Sequence, residues 1–207
     1  LCQSCHTELH NEQRKQAEYF TGKDSISTAV SKILNAMNID QSDPDFRNTP
    51  NRVARSFRET CARCFEDDEE KIDDILSTTF PAEHDNFVTV DSISSYSVCP
   101  HHLKDIEYTV DFGYIPDDEV VGISKIPRLV KYTAKKPLMQ EEYTEELASR
   151  FYQVVEPKAV LVKIEGIQNC MKTRGVKSDG STVTTALRGK AHPDHDDYRP
   201  QMKNEFF

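Results

Sequence analysis

Two short stretches concentrate the residues that could do chemistry. The first is Ser97-Val98-Cys99-Pro100-His101-His102 and the second is Gln168-Asn169-Cys170-Met171-Lys172-Thr173-Arg174-Gly175. Cys99 and His102 are three apart, so in a regular strand they would face opposite sides of a sheet. To share one ion the chain must turn between them. Pro100 has no amide hydrogen and interrupts a strand ladder there. Cys170 is the candidate third ligand. Two thiolates and one imidazole suit zinc, and three protein ligands leave a fourth corner for water, the mark of a catalytic centre. Zinc draws the pKa of such a water towards neutrality. His101, beside a ligand, reads as a proton carrier. The plainer reading of the same residues is buried thiols and surface imidazoles.

Between these stretches stand Ser124-Lys125-Ile126-Pro127-Arg128 and Gln140-Glu141. Lys125, Arg128 and Arg174, with Arg52 and Arg55 upstream, could neutralise a triphosphate if they converge. Taken alone, Arg52 and Arg55 read as solvated surface arginines. Glu141 could accept two hydrogen bonds from a guanine edge, with Gln140 alongside. The alternative is a salt bridge to Lys135 or Lys136. No GxxxxGK[ST] loop is present, which excludes a P-loop enzyme.

Composition narrows the setting. The chain has 207 residues, 37% of them hydrophobic and 29% charged, with a net charge of -9. An acidic surface argues against non-specific nucleic-acid binding. The mean hydropathy is -0.65, and no apolar run approaches the ~18 residues of a membrane span. The start of the sequence lacks the apolar core of a secretory signal. Six Cys without such a signal point to reduced thiols and a cytoplasmic location. The modest apolar content leaves room for stabilisation by self-association.

The elements follow from periodicity. Residues 1–23 form a polar tail whose Cys2-x-x-Cys5-His6 reads as incidental. Residues 24–85 form a helical region. Its first helix starts at Asp24 and repeats Ile26, Ala29, Val30, Ile33, Leu34 and Met37 at helical spacing. A second helix opens with Thr49 as N-cap and Pro50 at the first helical position, and turns Val53, Ala54, Phe57, Cys61 and Phe65 inward. On that helix Cys61 and Cys64 read as core thiols. A short helix is expected over Lys71–Leu76. From 86 to 190 the period of two predicts strands at Phe87–Val90, Ser95–Val98, Ile106–Phe112 and Val120–Ile123. Two helices follow, Ile126–Lys135 and Leu138–Val155, then strands Ala159–Ile167 and Thr182–Leu187. Residues 191–207 form a second polar tail. The order predicts an α+β fold, with a mostly antiparallel sheet, two helices packed on one face and an N-terminal helical segment.

The pieces NTPNRVAR, CPHH, GYIPDDEVVGISKIPRLV, KKPLMQEEYTEELA, NCMKTRG and STVTTALRG, in this order, resemble the GTP cyclohydrolase I family of the tunnelling-fold (T-fold) superfamily. The resemblance runs from about Asn48 to Gly189. It implies zinc on Cys99, His102 and Cys170, and catalytic work at His101. It implies that Gln140 and Glu141 read guanine while Ser124, Lys125, Arg128, Arg174, Arg52 and Arg55 hold the triphosphate. It also implies a homodecamer of two pentameric rings, with sites at subunit interfaces and no organic cofactor. The implied reaction adds hydroxide to C8 of the purine of GTP, with His101 protonating the ring. The imidazole ring opens, formate is released, and the ribose rearranges to give 7,8-dihydroneopterin triphosphate.

Two positions depart from the family's pattern. Pro100 stands where the family usually has Glu, and Gln168 where it usually has a catalytic His. Glutamine can position a water or a carbonyl but cannot carry a proton. Three outcomes stay open from sequence: full turnover, a variant that stops at the ring-opened formamidopyrimidine, and a non-catalytic GTP-binding oligomer.

Overall fold

The computed structural model describes residues 25–66 and 69–189. The Cys2–His6 pattern and both polar tails lie outside the described residues. The chain divides into two compact units between Glu59 and Thr60.

The first unit carries α1 (Ser25–Ala36) and α2 (Thr49–Thr60). Along the apolar stripe expected for α1, Leu34 is buried, whereas Ile33 is 56% and Met37 63% exposed. The start of α2 differs by one residue from the expected cap. The carbonyl of Asn48 accepts from the Arg52 amide at 3.1 Å, so Asn48 is the N-cap. Pro50 sits second in the helix, where its missing N–H costs nothing because the first turn has no internal acceptors. Helix α2 ends at Thr60, so Cys61 lies in a turn and Cys64 in a short 3-10 segment, Ala62–Cys64. Phe65, expected inward, is 49% exposed. Burial, then the nearby Cys64, push the Cys61 thiol up to about 11, which suits an inert core thiol.

The second unit is built on one antiparallel sheet. Its strands are β2 (Val88–Val98), β3 (Asp105–Ile115), β5 (Ala159–Gln168) and β6 (Ser181–Gly189), in the order β2-β3-β5-β6. Between β3 and β5 come α4 (Lys125–Thr133) and α5 (Gln140–Val155), and before the sheet comes α3 (Glu69–Leu76). The two long helices cover one face. Ile106, Val110, Phe112 and Tyr114 of β3 and Val160, Val162 and Ile164 of β5 bury against Leu129 and Val130 of α4 and Tyr143, Leu147 and Phe151 of α5. Phe151 meets Phe112 and Tyr114 edge-on, at ring-centroid separations of 4.8 and 5.0 Å. A smaller cluster of Ile115, Ala159 and Leu161 occupies the other face.

One strand, β2, replaces the two expected over 87–98. Its pairing with β3 shifts between Val90 and Ile93. There Ser92 takes a left-handed φ of 56° and donates its amide to Asp111 Oδ1 at 2.9 Å. The inserted residue is a β-bulge. It lets Val88 and Val90 before it share a face with Ile93, Ser95 and Ser97 after it, although the sequence parity changes. That change of parity made one strand look like two. A second ladder pairs β4 (Glu119–Val121), the strand expected over Val120–Ile123, with the unforeseen β1 (Thr79–Pro81). The Gly122 amide extends it to the Thr78 carbonyl at 3.2 Å. The Val121 amide donates to the Tyr114 hydroxyl at 3.1 Å. Together these contacts fix where α4 begins. No described helix is long and apolar enough to cross a membrane.

Phe151→Ala should lower unfolding free energy by about 3–5 kcal/mol, because it empties the junction of α5 with β3. Chemical denaturation followed by circular dichroism measures this, and a loss below about 1 kcal/mol would contradict the packing described.

Candidate metal centre

The site begins where three strand ends meet. β3 lies between β2 and β5, and neighbouring strands are spaced ~4.8 Å apart. Val98, the last residue of β2, pairs with Asp105, and Gln168, the last of β5, pairs with Ile106. Cys99 and Cys170 therefore emerge on either side of the start of β3 and reach across it. On the Cys99 side the hairpin is closed by two bonds. The Cys99 amide donates to the Lys104 carbonyl, and the Leu103 amide to the Cys99 carbonyl, both at 2.8 Å. Leu103, at φ 50°, takes the left-handed conformation that brings the chain back. On the Cys170 side a single turn, α6 (Asn169–Lys172), follows β5 directly. The Asn169 side-chain amide donates to Glu107 Oε1 on β3 at 3.3 Å.

The turn expected between Cys99 and His102 is present. One ligand atom each from Cys99, His102 and Cys170 lies within 4.8 Å of the others. Cys99 Sγ is 3.7 Å from His102 Nδ1 and 3.9 Å from His101 Nδ1. Cys99 is buried, Cys170 half-buried, and both histidines are exposed. Burial raises the pKa of the Cys170 thiol, followed by the hydrogen bond and charge of Cys99. A bound dication would reverse that resistance of Cys170 to ionising. The Arg174 guanidinium touches His102 Nε2. Nδ1 is the ring nitrogen that faces Cys99. Desolvation at the turn, then Arg174, His101 and Lys104, lower the His102 pKa, favouring the neutral imidazole that a metal needs.

Gln140 is placed differently from the expectation that it would lie beside Glu141 with its amide free for a base. It is 2% exposed. Its Nε2 donates to the carbonyls of Thr182 at 2.8 Å and Ile164 at 3.1 Å, and to Thr184 Oγ1 at 3.2 Å. Those acceptors fix its orientation, so its Oε1 is left to accept. It does so from Gln168 Nε2 at 3.1 Å. The Gln168 amide is thereby oriented too, with its carbonyl oxygen and second N–H as the uncommitted ends. Glu141, one residue on, is exposed.

The remaining expected residues fall into two groups. Ser124, Lys125 and Arg128 stand at the first turn of α4, with Ser124 as its N-cap. A helix start carries partial positive charge and suits an anion. Arg52 and Arg55 are exposed on α2, in the first unit.

One buried polar group beside Gly166 was not foreseen. Tyr108, on β3, is 3% exposed. Its hydroxyl is buried without a hydrogen-bond partner among the described residues. Burial first, then the charges of Cys99, Glu141 and Cys170, push its phenol well above the usual range, so it stays protonated. In sequence Tyr108 is one more inward residue between Ile106 and Val110, and its spacing carries no signal of chemistry. The available hint was its cross-strand partner, Gly166, since glycine inside a strand marks a close approach.

Comparison with known proteins adds the following. The family model described as GTP cyclohydrolase I matches residues 26–205. A protein named GTP cyclohydrolase 1 from Mycobacteroides abscessus is 41% identical over 165 residues, which cover 78% of this chain and 79% of the relative. One of the same name from Mycobacterium tuberculosis is 42% identical over 164 residues, covering 78% and 79%. A solved structure of the archaeosine synthase QueF-Like in the apo form has a TM-score of 0.41 and 19% identity, covering 50% of this chain and 96% of that one.

A Cβ at Gly166 would stand 2.2 Å from Gln140 Oε1 and 3.0 Å from Tyr108 Cε1. Gly166→Ala should therefore displace the Gln140 amide and lower stability by about 1–3 kcal/mol, read as a shift in the denaturation midpoint. An unchanged midpoint would mean that the Gln140 amide is not held as described.

Proposed function

The chain belongs to the GTP cyclohydrolase I family, and from that premise we propose that it hydrolyses GTP at a zinc ion held by Cys99, His102 and Cys170. One observation carries this reading: three ligand atoms of the right types from two distant segments stand within 4.8 Å of one another. Their spacing fits the ion. Around a tetrahedral zinc, with Zn–S of ~2.3 Å and Zn–N of ~2.0 Å, sulfur and nitrogen stand about 3.6 Å apart. The Cys99–His102 separation of 3.7 Å agrees. When bound, the metal supplies Lewis-acid polarisation and a water with its pKa near neutrality.

The chain's own residues do the rest. His101, beside Cys99, delivers a proton to the purine as its imidazole ring opens. Glu141 accepts from the N1 hydrogen and exocyclic amine of guanine. Ser124, Lys125 and Arg128 at the start of α4, with Arg174, Arg52 and Arg55, hold the triphosphate. Complete turnover releases formate and gives 7,8-dihydroneopterin triphosphate. The assembly is a homodecamer of two pentameric rings. The uncovered edges of β2 and β6 within the described sheet support association of subunits. The setting is the cytoplasm, with neither nucleic acid nor membrane as partner.

Gln168 favours a second reading, in which the reaction stops at the ring-opened formamidopyrimidine. Its amide donates one N–H to Gln140, and the rest of the amide can orient a water but cannot move a proton.

Zinc-loaded protein incubated with GTP should yield formate and, after oxidation, fluorescent neopterin. A product one water heavier than GTP that retains its formyl group identifies the truncated reaction. Unconsumed GTP with intact zinc rules out both and leaves a GTP-binding oligomer. A general acid or base contributes ~10²–10⁴-fold, so Gln168→His should raise turnover at least about tenfold or advance the product, measured by formate release.

A further inference from the structure

Gln140 and Thr144 of α5 meet Thr184 of β6 in a closed ring of hydrogen bonds whose direction can be read atom by atom. The Thr144 hydroxyl donates to the Gln140 backbone carbonyl at 2.7 Å. A hydroxyl has one proton to give. At the 2.6 Å contact between the two threonine hydroxyls, Thr184 is therefore the donor. With its own proton spent, Thr184 Oγ1 accepts from Gln140 Nε2 at 3.2 Å. On the same side the carbonyls of Ile164 and Thr182 accept as well. The amide's two protons face three acceptors, and none is left over. A reversed amide would set its oxygen against all three. The Gln140 oxygen is thus turned to Gln168, which donates to it at 3.1 Å.

This arrangement closes Gln140 to a base. The residue is 2% exposed, and both of its N–H groups are taken. Its oxygen lies so near the β5 backbone that a Cβ at Gly166 would stand 2.2 Å away. What it offers is a fixed acceptor at the end of β5. Gln168 is the last residue of that strand, half-buried, and leads directly into the single turn α6 that carries Cys170. We propose that Gln140 is a positioning residue that reads no part of the nucleotide. Its oxygen holds the side chain at 168 by one donated N–H, so that the rest of that side chain meets the substrate or its water in one orientation. The hydroxyls of Thr144 and Thr184 set the sense of this contact. A side chain at 168 fits when it carries a donor, as glutamine and histidine do and methionine does not. The inference rests on the GTP reading above and replaces the role that the sequence resemblance implies for Gln140.

The test compares the zinc-loaded full chain with Gln140→Met, Gln168→Met, the double variant and Gln168→His. Three quantities are read: GTP affinity by calorimetry, kcat, and melting midpoint. Gln140→Met should keep GTP affinity within about twofold and lower kcat at least about fivefold, since a small misplacement of a reacting group can cost ~10²-fold. Added to Gln168→Met, it should change kcat by less than about twofold, because residues that act through one another are not additive. A fivefold loss of affinity in Gln140→Met makes it a base reader and overturns the proposal. Additive losses in kcat make the two residues independent and overturn it too, as does an unchanged kcat in Gln140→Met. Should Gln140→Met fail to fold, because the Ile164 and Thr182 carbonyls lose their donor, the variants at 168 decide. Gln168→Met leaves the buried Gln140 oxygen unpaired and should lower the midpoint by about 2–10 °C, whereas Gln168→His keeps a donor and should stay within about 1 °C of the parent. Equal midpoints for these two overturn the proposal. If the parent binds GTP without consuming it, the cyclohydrolase reading fails by itself. Retained affinity in Gln140→Met with the lower midpoint in Gln168→Met then sustains the proposal, and any other result overturns it. A parent that does not bind GTP removes both.

Discussion

The site depends on strand register. Cys99 and Cys170 follow strands that do not pair with each other, and β3 separates those strands. They meet because Val98 pairs with Asp105 and Gln168 with Ile106, so both strands end level with the start of β3. A slip of one residue on either side would turn every side chain of that strand to the opposite face. The apolar face beneath α4 and α5 forbids that slip. The same core burial that stabilises the unit thus sets the distance between two sulfurs.

A second constraint is polar. The Gln140 amide ties α5 to the ends of β5 and β6 through Ile164, Thr182 and Thr184. Because every donor of that amide is taken, its oxygen faces one way only, and Gln168 follows. A buried network of this kind specifies one arrangement so long as each member is satisfied. At 168 an imidazole could gain and lose a proton, whereas the amide that stands there is a fixed dipole. His101 lies beside Cys99, its Nδ1 3.9 Å from the sulfur.

Much of this was legible in the sequence. The two helices, the long strands and the antiparallel order follow from a period of two giving way to 3.6 and back. The ligand triad was legible because cysteine and histidine are chemically distinctive and Pro100 marks a break. The β-bulge at Ser92 was not, since it changes parity without a glycine to announce it. Of the β1–β4 ladder, β4 was expected but β1 was hidden, because a three-residue strand has no period. Gln140 and Tyr108 escaped for a deeper reason. What each does depends on whether its polar atoms find partners across the sheet, and no local spacing records that. The expected stripe of α1 shows the converse, with Ile33 and Met37 patterned for burial yet open in the described chain.

The close approach at Gly166 also couples three positions. The Gln140 amide oxygen and the Tyr108 ring together fill the space that a side chain at 166 would need, at 2.2 and 3.0 Å from a Cβ placed there. Enlarging 166 therefore requires both neighbours to give way, so the volume available at 166 is set jointly by what stands at 108 and 140.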